Sequence, residues 1–147
     1  MSHNVVTAYP DVGRQHSPPD LHDAATRKEL SGAAIVTVAG IFDLWRLTNE
    51  SACDLLGGIS DRTWQRWKRQ PDSHVLDQDQ LTRASLIIGI HRALRTLYSK
   101  GYADAWPTID DEYPLFDGRS PVRAMSLGGI PVMHATRQLL DGWRGAR

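Results

Sequence analysis

The stretch TNESACDLLGGISDRTWQRWKRQ, residues 48–70, decides the predicted fold because it divides into two short helices around Gly57-Gly58. Residues 49–56 carry apolar side chains at helical spacing, which predicts a supporting helix. Gly57 suits the left-handed position that ends a helix, and Ser60 suits the N-cap of the helix that follows. Two helices joined by a short glycine-containing turn are typical of a helix-turn-helix.

The second of these helices has two different faces. Ile59, Trp64 and Trp67 are expected to pack toward a core, whereas polar and basic side chains occupy the opposite face. Long donors on such a helix can reach phosphates or guanine edges in a major groove. The residues predicted to contact DNA are Ser60, Arg62, Thr63, Gln65, Arg66 and Arg69. Spacing alone leaves open an ordinary helical corner with a solvated charged face.

Bulk composition bounds the fold and the mode of DNA binding. The chain has 147 residues, 41% hydrophobic and 23% charged, which is ordinary for one globular domain with lobes. Its 17 basic and 17 acidic residues cancel, so bulk charge would not hold nucleic acid. Binding to operator DNA would need a local basic patch, and we expect a homodimer because one half-site is rarely enough.

Several kinds of chemistry find no support in the sequence. Cys53 is the only cysteine, which excludes an intramolecular disulfide and suggests a small buried hydrophobe. No secretory signal or membrane-spanning stretch is recognisable, so the cytoplasm is the expected compartment. His91 is more typical of a core histidine than of a ligand. We expect no catalytic residue, no metal and no cofactor, and therefore no enzyme.

The rest of the chain reads as an all-α protein. Residues 1–20 are expected to be a flexible leader, and residues 21–100 a helical core that contains the helix-turn-helix. Within this core we predict a short helix from Asp20, a firmer helix over residues 31–47, and the longest helix over residues 77–100. The apolar faces of the last two helices are the candidate dimer seams.

Residues 101–147 form the predicted C-terminal region. An acidic connector, residues 101–119, lacks Lys and Arg and reads as a solvated loop rather than a cation site. Ser120-Pro121 then opens a short helix, Gly128-Gly129 makes a turn, and a final helix runs toward the chain end. Residues 119–147 hold five arginines against one acid, so this part is net positive.

The stretch FDGRSPVRAMSLGGIPVMHATRQLLD resembles the toxin-binding domain of the Xre/MbcA/ParS antitoxins. The similarity rests on a Gly-Arg-Ser/Thr-Pro turn, a short helix, a brief turn and a final amphipathic helix. In that family an Xre-type helix-turn-helix precedes this domain, as residues 48–70 do here. The resemblance covers residues 31–143 and implies an Xre-like helical core with a small C-terminal toxin-binding lobe.

The resemblance also implies a function. Its members are antitoxins that neutralise a RES-domain toxin, which degrades NAD⁺ or transfers ADP-ribose, and that repress their own operon. The chain end covers the toxin's cofactor pocket, within a toxin–antitoxin hetero-oligomer. The residues carried over to this role are Arg119, Ser120, Pro121, Trp143, Arg144 and Arg147, although the arginine-rich ending GWRGAR departs from the more apolar family tails.

Two alternatives stay open at the level of the sequence. The protein can instead be a helix-turn-helix transcriptional regulator whose C-terminal lobe senses a ligand or dimerises. Individual residues also have structural readings, because Arg119 can brace the acidic connector and Trp143 can pack on the core.

Overall fold

The computed structural model describes residues 18–146, and within them the chain forms seven α-helices, two short 3₁₀ turns and no β-strand. The predicted all-α class is confirmed. The helices are α1 (Ala24–Leu44), α2 (Asn49–Leu55), α3 (Asp61–Arg69), α4 (Gln78–Leu97), α5 (Lys100–Ala105), α6 (Pro121–Gly128) and α7 (Ile130–Gly145), and the 3₁₀ turns are Pro71–Ser73 and Trp106–Thr108. Residues 1–17 of the predicted leader lie outside the described residues.

Helix α1 is continuous, where two separate helices were predicted. It begins after Asp23, whose carboxylate accepts hydrogen bonds from the Thr26 amide at 3.0 Å and the Thr26 hydroxyl at 2.8 Å. Ser31 does not cap a second helix, because its hydroxyl donates to the Arg27 carbonyl within the same helix. The Ser31 oxygen also accepts from the Leu76 amide at 2.9 Å, which ties α1 to the segment before α4.

Helix α4 is the central element, since it packs against α1 on one side and α7 on the other. Asp77 and Gln80 form a reciprocal capping box at its start. The helix ends at Leu97, earlier than predicted, and Gly101 lies inside α5 rather than stopping α4. At 20 residues α4 is one residue shorter than α1, so the prediction that it is the longest helix is wrong.

Residues from α1 to α7 share one hydrophobic core. The apolar face of α1, with Ile35 and Val38, and that of α4, with Ile87 and Leu94, are each at most 2% exposed. Neither face is therefore available as a dimer seam, contrary to expectation. The two faces were taken for candidate seams because periodicity shows which side of a helix is apolar and not what covers it.

Close approach of α4 and α7 depends on Gly89. A Cβ atom built on Gly89 would lie 1.6 Å from Nη1 of Arg137, because that guanidinium crosses the helix surface at this point. The Arg137 Nε in turn donates to Asp141 at 2.9 Å. The absence of a side chain in α4 thus lets a charged group of α7 lie at the helix–helix contact.

The acidic connector is an ordered brace with an apolar interior. Trp106 and Phe116 are 3% and 0% exposed, and their rings meet edge to face at 5.6 Å between centroids. Asp117 and Gly118 both have positive φ, and the Arg119 amide donates to the Phe116 carbonyl, as in a type I′ turn. This turn delivers the chain to the start of α6.

Candidate functional site

The turn between α2 and α3 has the geometry predicted for it. Gly57 and Gly58 have φ of 97° and 82°, and their amides donate to the carbonyls of Asp54 and Cys53, as in a Schellman motif. The Ser60 hydroxyl then accepts from the Thr63 amide at 3.0 Å and caps α3. Local hydrogen bonds therefore set the angle at which α3 leaves α2.

Two tryptophans anchor α3 to the core. Trp64 and Trp67 are 2% and 6% exposed, and the Trp64 ring lies 5.8 Å from that of Phe42 in α1. The two indoles meet edge to face at 6.4 Å. Because both large rings are buried on one side of a short helix, the opposite side of α3 is held toward solvent.

The solvent side of α3 carries an arginine stripe, which we define as Arg62, Arg66 and Arg69. These residues are spaced i, i+4, i+7 and are all exposed. None of them forms an ion pair or a side-chain hydrogen bond with another residue of the range 18–146. The three guanidinium groups keep their donors free for an external anion.

The other predicted DNA-contacting residues are already engaged locally. The Ser60 hydroxyl also donates to the Thr63 hydroxyl at 3.0 Å, and the Gln65 amide donates to the Asp61 carboxylate at 3.2 Å. Thr63 and Gln65 are half-buried. These side chains position the helix end, whereas the arginine stripe holds the free donors.

The start of α6 matches the predicted Ser-Pro cap. The Ser120 hydroxyl accepts from the Arg123 amide at 3.1 Å, and Pro121 occupies the first turn and is buried. Arg119 lies half-exposed just before the cap, with its Nη1 3.7 Å from the Asp117 carboxylate. Of these three residues, Arg119 is the one whose charged group reaches solvent.

Tyr113 connects this turn to the end of α7. Its ring meets the Trp143 ring edge to face, with centroids 5.8 Å apart. Its amide donates to Asp111 at 2.8 Å, and the Asp111 amide donates to the Arg119 carbonyl at 3.1 Å. The structure thus brings the predicted turn and the predicted chain end into one neighbourhood through Tyr113, which the sequence analysis did not single out. An aromatic residue within an otherwise acidic loop was the available signal.

The chain end itself is only partly described. The Arg144 guanidinium donates to Asp141 at 2.9 Å and is one-quarter exposed. Trp143 is half-buried and packs against the core. Arg147 lies outside the described residues. Both described members of the predicted tail set therefore make contacts within the chain, in addition to any contact with a partner.

Arg83 forms a bridge that the sequence did not indicate. Its guanidinium donates to Asp79 at 2.8 Å and to the Leu55 carbonyl at 3.4 Å. Cβ atoms built on Gly57 and Gly129 would lie 3.3 and 3.7 Å from its nitrogens. The helix-turn-helix turn and the turn between α6 and α7 therefore lie on either side of one arginine, around a shared cavity of about 350 Å³.

Two ionisable groups in the core have shifted pKa values. Burial raises the pKa of the Cys53 thiol, and Asp61 and Asp54 act in the same direction. Cys53 is 6% exposed, so it behaves as the predicted small hydrophobe. Burial lowers the pKa of His91, and the nearby Arg95 lowers it further.

Two further observations concern the described range as a whole. No three of its His, Cys, Asp and Glu residues are grouped so that they can hold a metal ion. None of the helices resolved between residues 18 and 146 is long and apolar enough to cross a membrane.

These features define an all-α protein built on a helix-turn-helix. Residues 24–89 match the family described as the antitoxin Xre-like helix-turn-helix domain. The matched stretch runs from the start of α1 to the middle of α4 and includes the whole helix-turn-helix. The match supports a DNA-binding antitoxin of the Xre type. Comparison with the curated proteins and with the solved structures gives no match.

Proposed function

We propose that this protein is the antitoxin of a type II toxin–antitoxin system, which neutralises a RES-domain toxin acting on NAD⁺ and represses its own operon. The similarity of residues 24–89 to Xre-like antitoxin domains supports the DNA-binding half. The contact between Tyr113 and Trp143 is the observation that carries the toxin-binding half. It joins the Arg119 turn and the end of α7 into one surface.

The proposed DNA contact is made by the arginine stripe of α3. Its three exposed guanidinium groups have no competing ion pair among the described residues. Arginine binds phosphate oxygens or a guanine edge through paired donors, so this side of α3 suits a major groove. Two copies of the chain would place two such helices on adjacent half-sites, which is why we propose a homodimer.

The proposed toxin contact is made by the region 101–147. Arg119 offers a half-exposed guanidinium next to the α6 cap, and Trp143 and Arg144 lead to the chain end with Arg147. An indole and a guanidinium are suited to a pocket that binds the base and the phosphates of a dinucleotide. In this proposal the antitoxin occludes the catalytic cleft of its partner and performs no catalysis itself.

The test must separate toxin binding from folding. Deleting α6 and α7 would remove Met125, Met133 and Leu140, all fully buried, and would unfold the chain. A milder variant combines Arg119→Glu with removal of residues 145–147. Since Arg119 is exposed and the helix α7 ends at Gly145, this variant should keep the wild-type melting temperature.

We expect the variant to lose rescue of cells that express the toxin encoded next to it, and to lose at least 100-fold in affinity in co-purification and titration. The matched control is Lys28→Glu, which reverses an exposed charge on α1. Both variants should retain operator binding. Full rescue by the first variant would refute the proposed toxin surface, and operator binding without any toxin capture by the wild-type chain would favour a ligand-sensing regulator.

A further inference from the structure

A cationic groove lies between the second half of α4 and the end of α7. It has a volume of about 340 Å³ and is lined by His91, Arg92, Arg95, Thr96 and Arg144. No acidic residue lines it. This volume is at the lower end of the range for small-molecule sites, which begins near ~300 Å³.

The arginines around the groove are only partly neutralised. Arg95 makes two hydrogen bonds of 3.1 Å to Asp104, which neutralises one charge. Arg144 and Arg137 share the single carboxylate of Asp141, each at 2.9 Å. One carboxylate for two guanidinium groups leaves a positive charge over.

Arg92 adds a second positive charge. Its side chain is exposed and makes no ion pair with any residue between 18 and 146. The four arginines therefore stand against two aspartates at this end of the molecule. A phosphate monoester carries about −1.5 to −2 charges at neutral pH, which matches this excess.

Donors remain available in the groove after the internal contacts are made. A guanidinium has five N–H groups, and Arg144 uses one of them for Asp141 in the described part of the chain. The His91 Nδ1 atom is buried and has no hydrogen-bond partner within residues 18–146. A buried nitrogen without a partner is costly, and an oxygen-rich ligand would relieve that cost.

The recessed position of these cations distinguishes the groove from the arginine stripe of α3. The side chains of Arg95 and Arg144 are 32% and 25% exposed, whereas Arg62, Arg66 and Arg69 protrude into solvent. A nucleic acid duplex presents a broad convex backbone, which protruding side chains reach more readily than recessed ones. A small anion can enter between α4 and α7.

We infer that this groove binds the phosphate group of a small molecule, a phosphate monoester or a diphosphate. Arg92 and Arg144 supply the principal charge-assisted hydrogen bonds, and Arg95 is held in place by Asp104. The site is separate from the α3 surface and does not depend on the toxin proposal. Phosphate binding would bring a small-molecule signal to α4 and α7, which form the centre of the fold.

The probe is inorganic pyrophosphate, titrated into the full chain at constant ionic strength and followed by backbone amide NMR and calorimetry. We expect saturable shifts confined to residues 91–96 and 141–146. Arg92→Gln with Arg144→Gln should weaken binding at least tenfold. The fold should be unaffected, because Asp141 keeps its bond to Arg137 and Arg92 is exposed.

The matched control is Lys28→Gln with Arg123→Gln, which removes two exposed charges elsewhere. The control should bind pyrophosphate as the wild type does. Equal weakening in both double variants would mean that only net charge matters and would overturn the inference. So would shifts outside the groove, the absence of saturation, or stronger perturbation of the same amides by a short DNA duplex.

Discussion

Replacing Arg62 and Arg66 by alanine tests whether α3 is the helix that contacts DNA. Both side chains are exposed on the same side of α3 and have no ion pair among the described residues. Their loss should therefore remove two phosphate contacts per protomer without disturbing the fold. Trp64 and Trp67, which hold the helix, lie on the opposite side.

The magnitude follows from counterion release. Each lost contact lowers the slope of log affinity against log salt by about 0.9, so two contacts lower it by about 1.8. Between about 50 and about 200 mM salt, a fourfold range, the wild-type affinity should fall about 12-fold more than that of the variant. The assay is fluorescence anisotropy with a labelled duplex from the region upstream of the gene, at several salt concentrations.

Lys28→Ala with Lys68→Ala is the control for bulk charge. Lys68 is on the same helix but leans over the Trp64 ring at 5.2 Å, away from the arginine stripe, and Lys28 is on α1. This pair should leave the salt slope unchanged. An unchanged slope and affinity in the arginine variant would mean that another element contacts DNA, and an equal loss in the lysine control would reduce the effect to net charge.

Two further predictions concern stability. Ser31→Ala leaves the buried Leu76 amide without its acceptor and should lower the free energy of unfolding in urea by about 1–3 kcal/mol, whereas the exposed Thr37→Ala in the same helix should change it by less than about 0.5 kcal/mol; equal effects would contradict the role of the hydrogen bond. Because burial lowers the pKa of folded His91, the unfolded chain takes up a proton first, so stability should be full above the unfolded pKa of about 6.5 and fall as the pH drops below it. Unfolding at several pH values should show a shallower fall for His91→Gln, and identical pH profiles would exclude this contribution.

Local signals in the sequence predicted most of the helix ends correctly. The Ser60 cap, the left-handed Gly57 and the Ser120-Pro121 start all appear in the structure as expected. Each depends on hydrogen bonds or backbone preferences within about four residues, so neighbouring residues are sufficient to specify it. Asp77 capped α4 in the same way, one residue before the helix begins.

Competing local signals explain where the boundaries were wrong. Asp20 and Asp23 both suit an N-cap, and Asp23 is the one that meets the Thr26 amide. Ser31 suits a cap in the sequence, but its hydroxyl bonds within α1 and to Leu76, which is 45 residues away. A contact over such a separation leaves no trace in local sequence.

The sequence by itself determined the all-α class, the glycine turn of the helix-turn-helix and the exposed position of the arginine stripe. These follow from helical periodicity and from caps that act over one turn. Only the tertiary structure decided that Tyr113 joins Trp143, that Arg137 crosses α4 at Gly89, and that Arg92 and Arg144 border one groove. Those residues come from distant parts of the chain, and their side chains meet only because burial of one common core fixes how α4 and α7 pack.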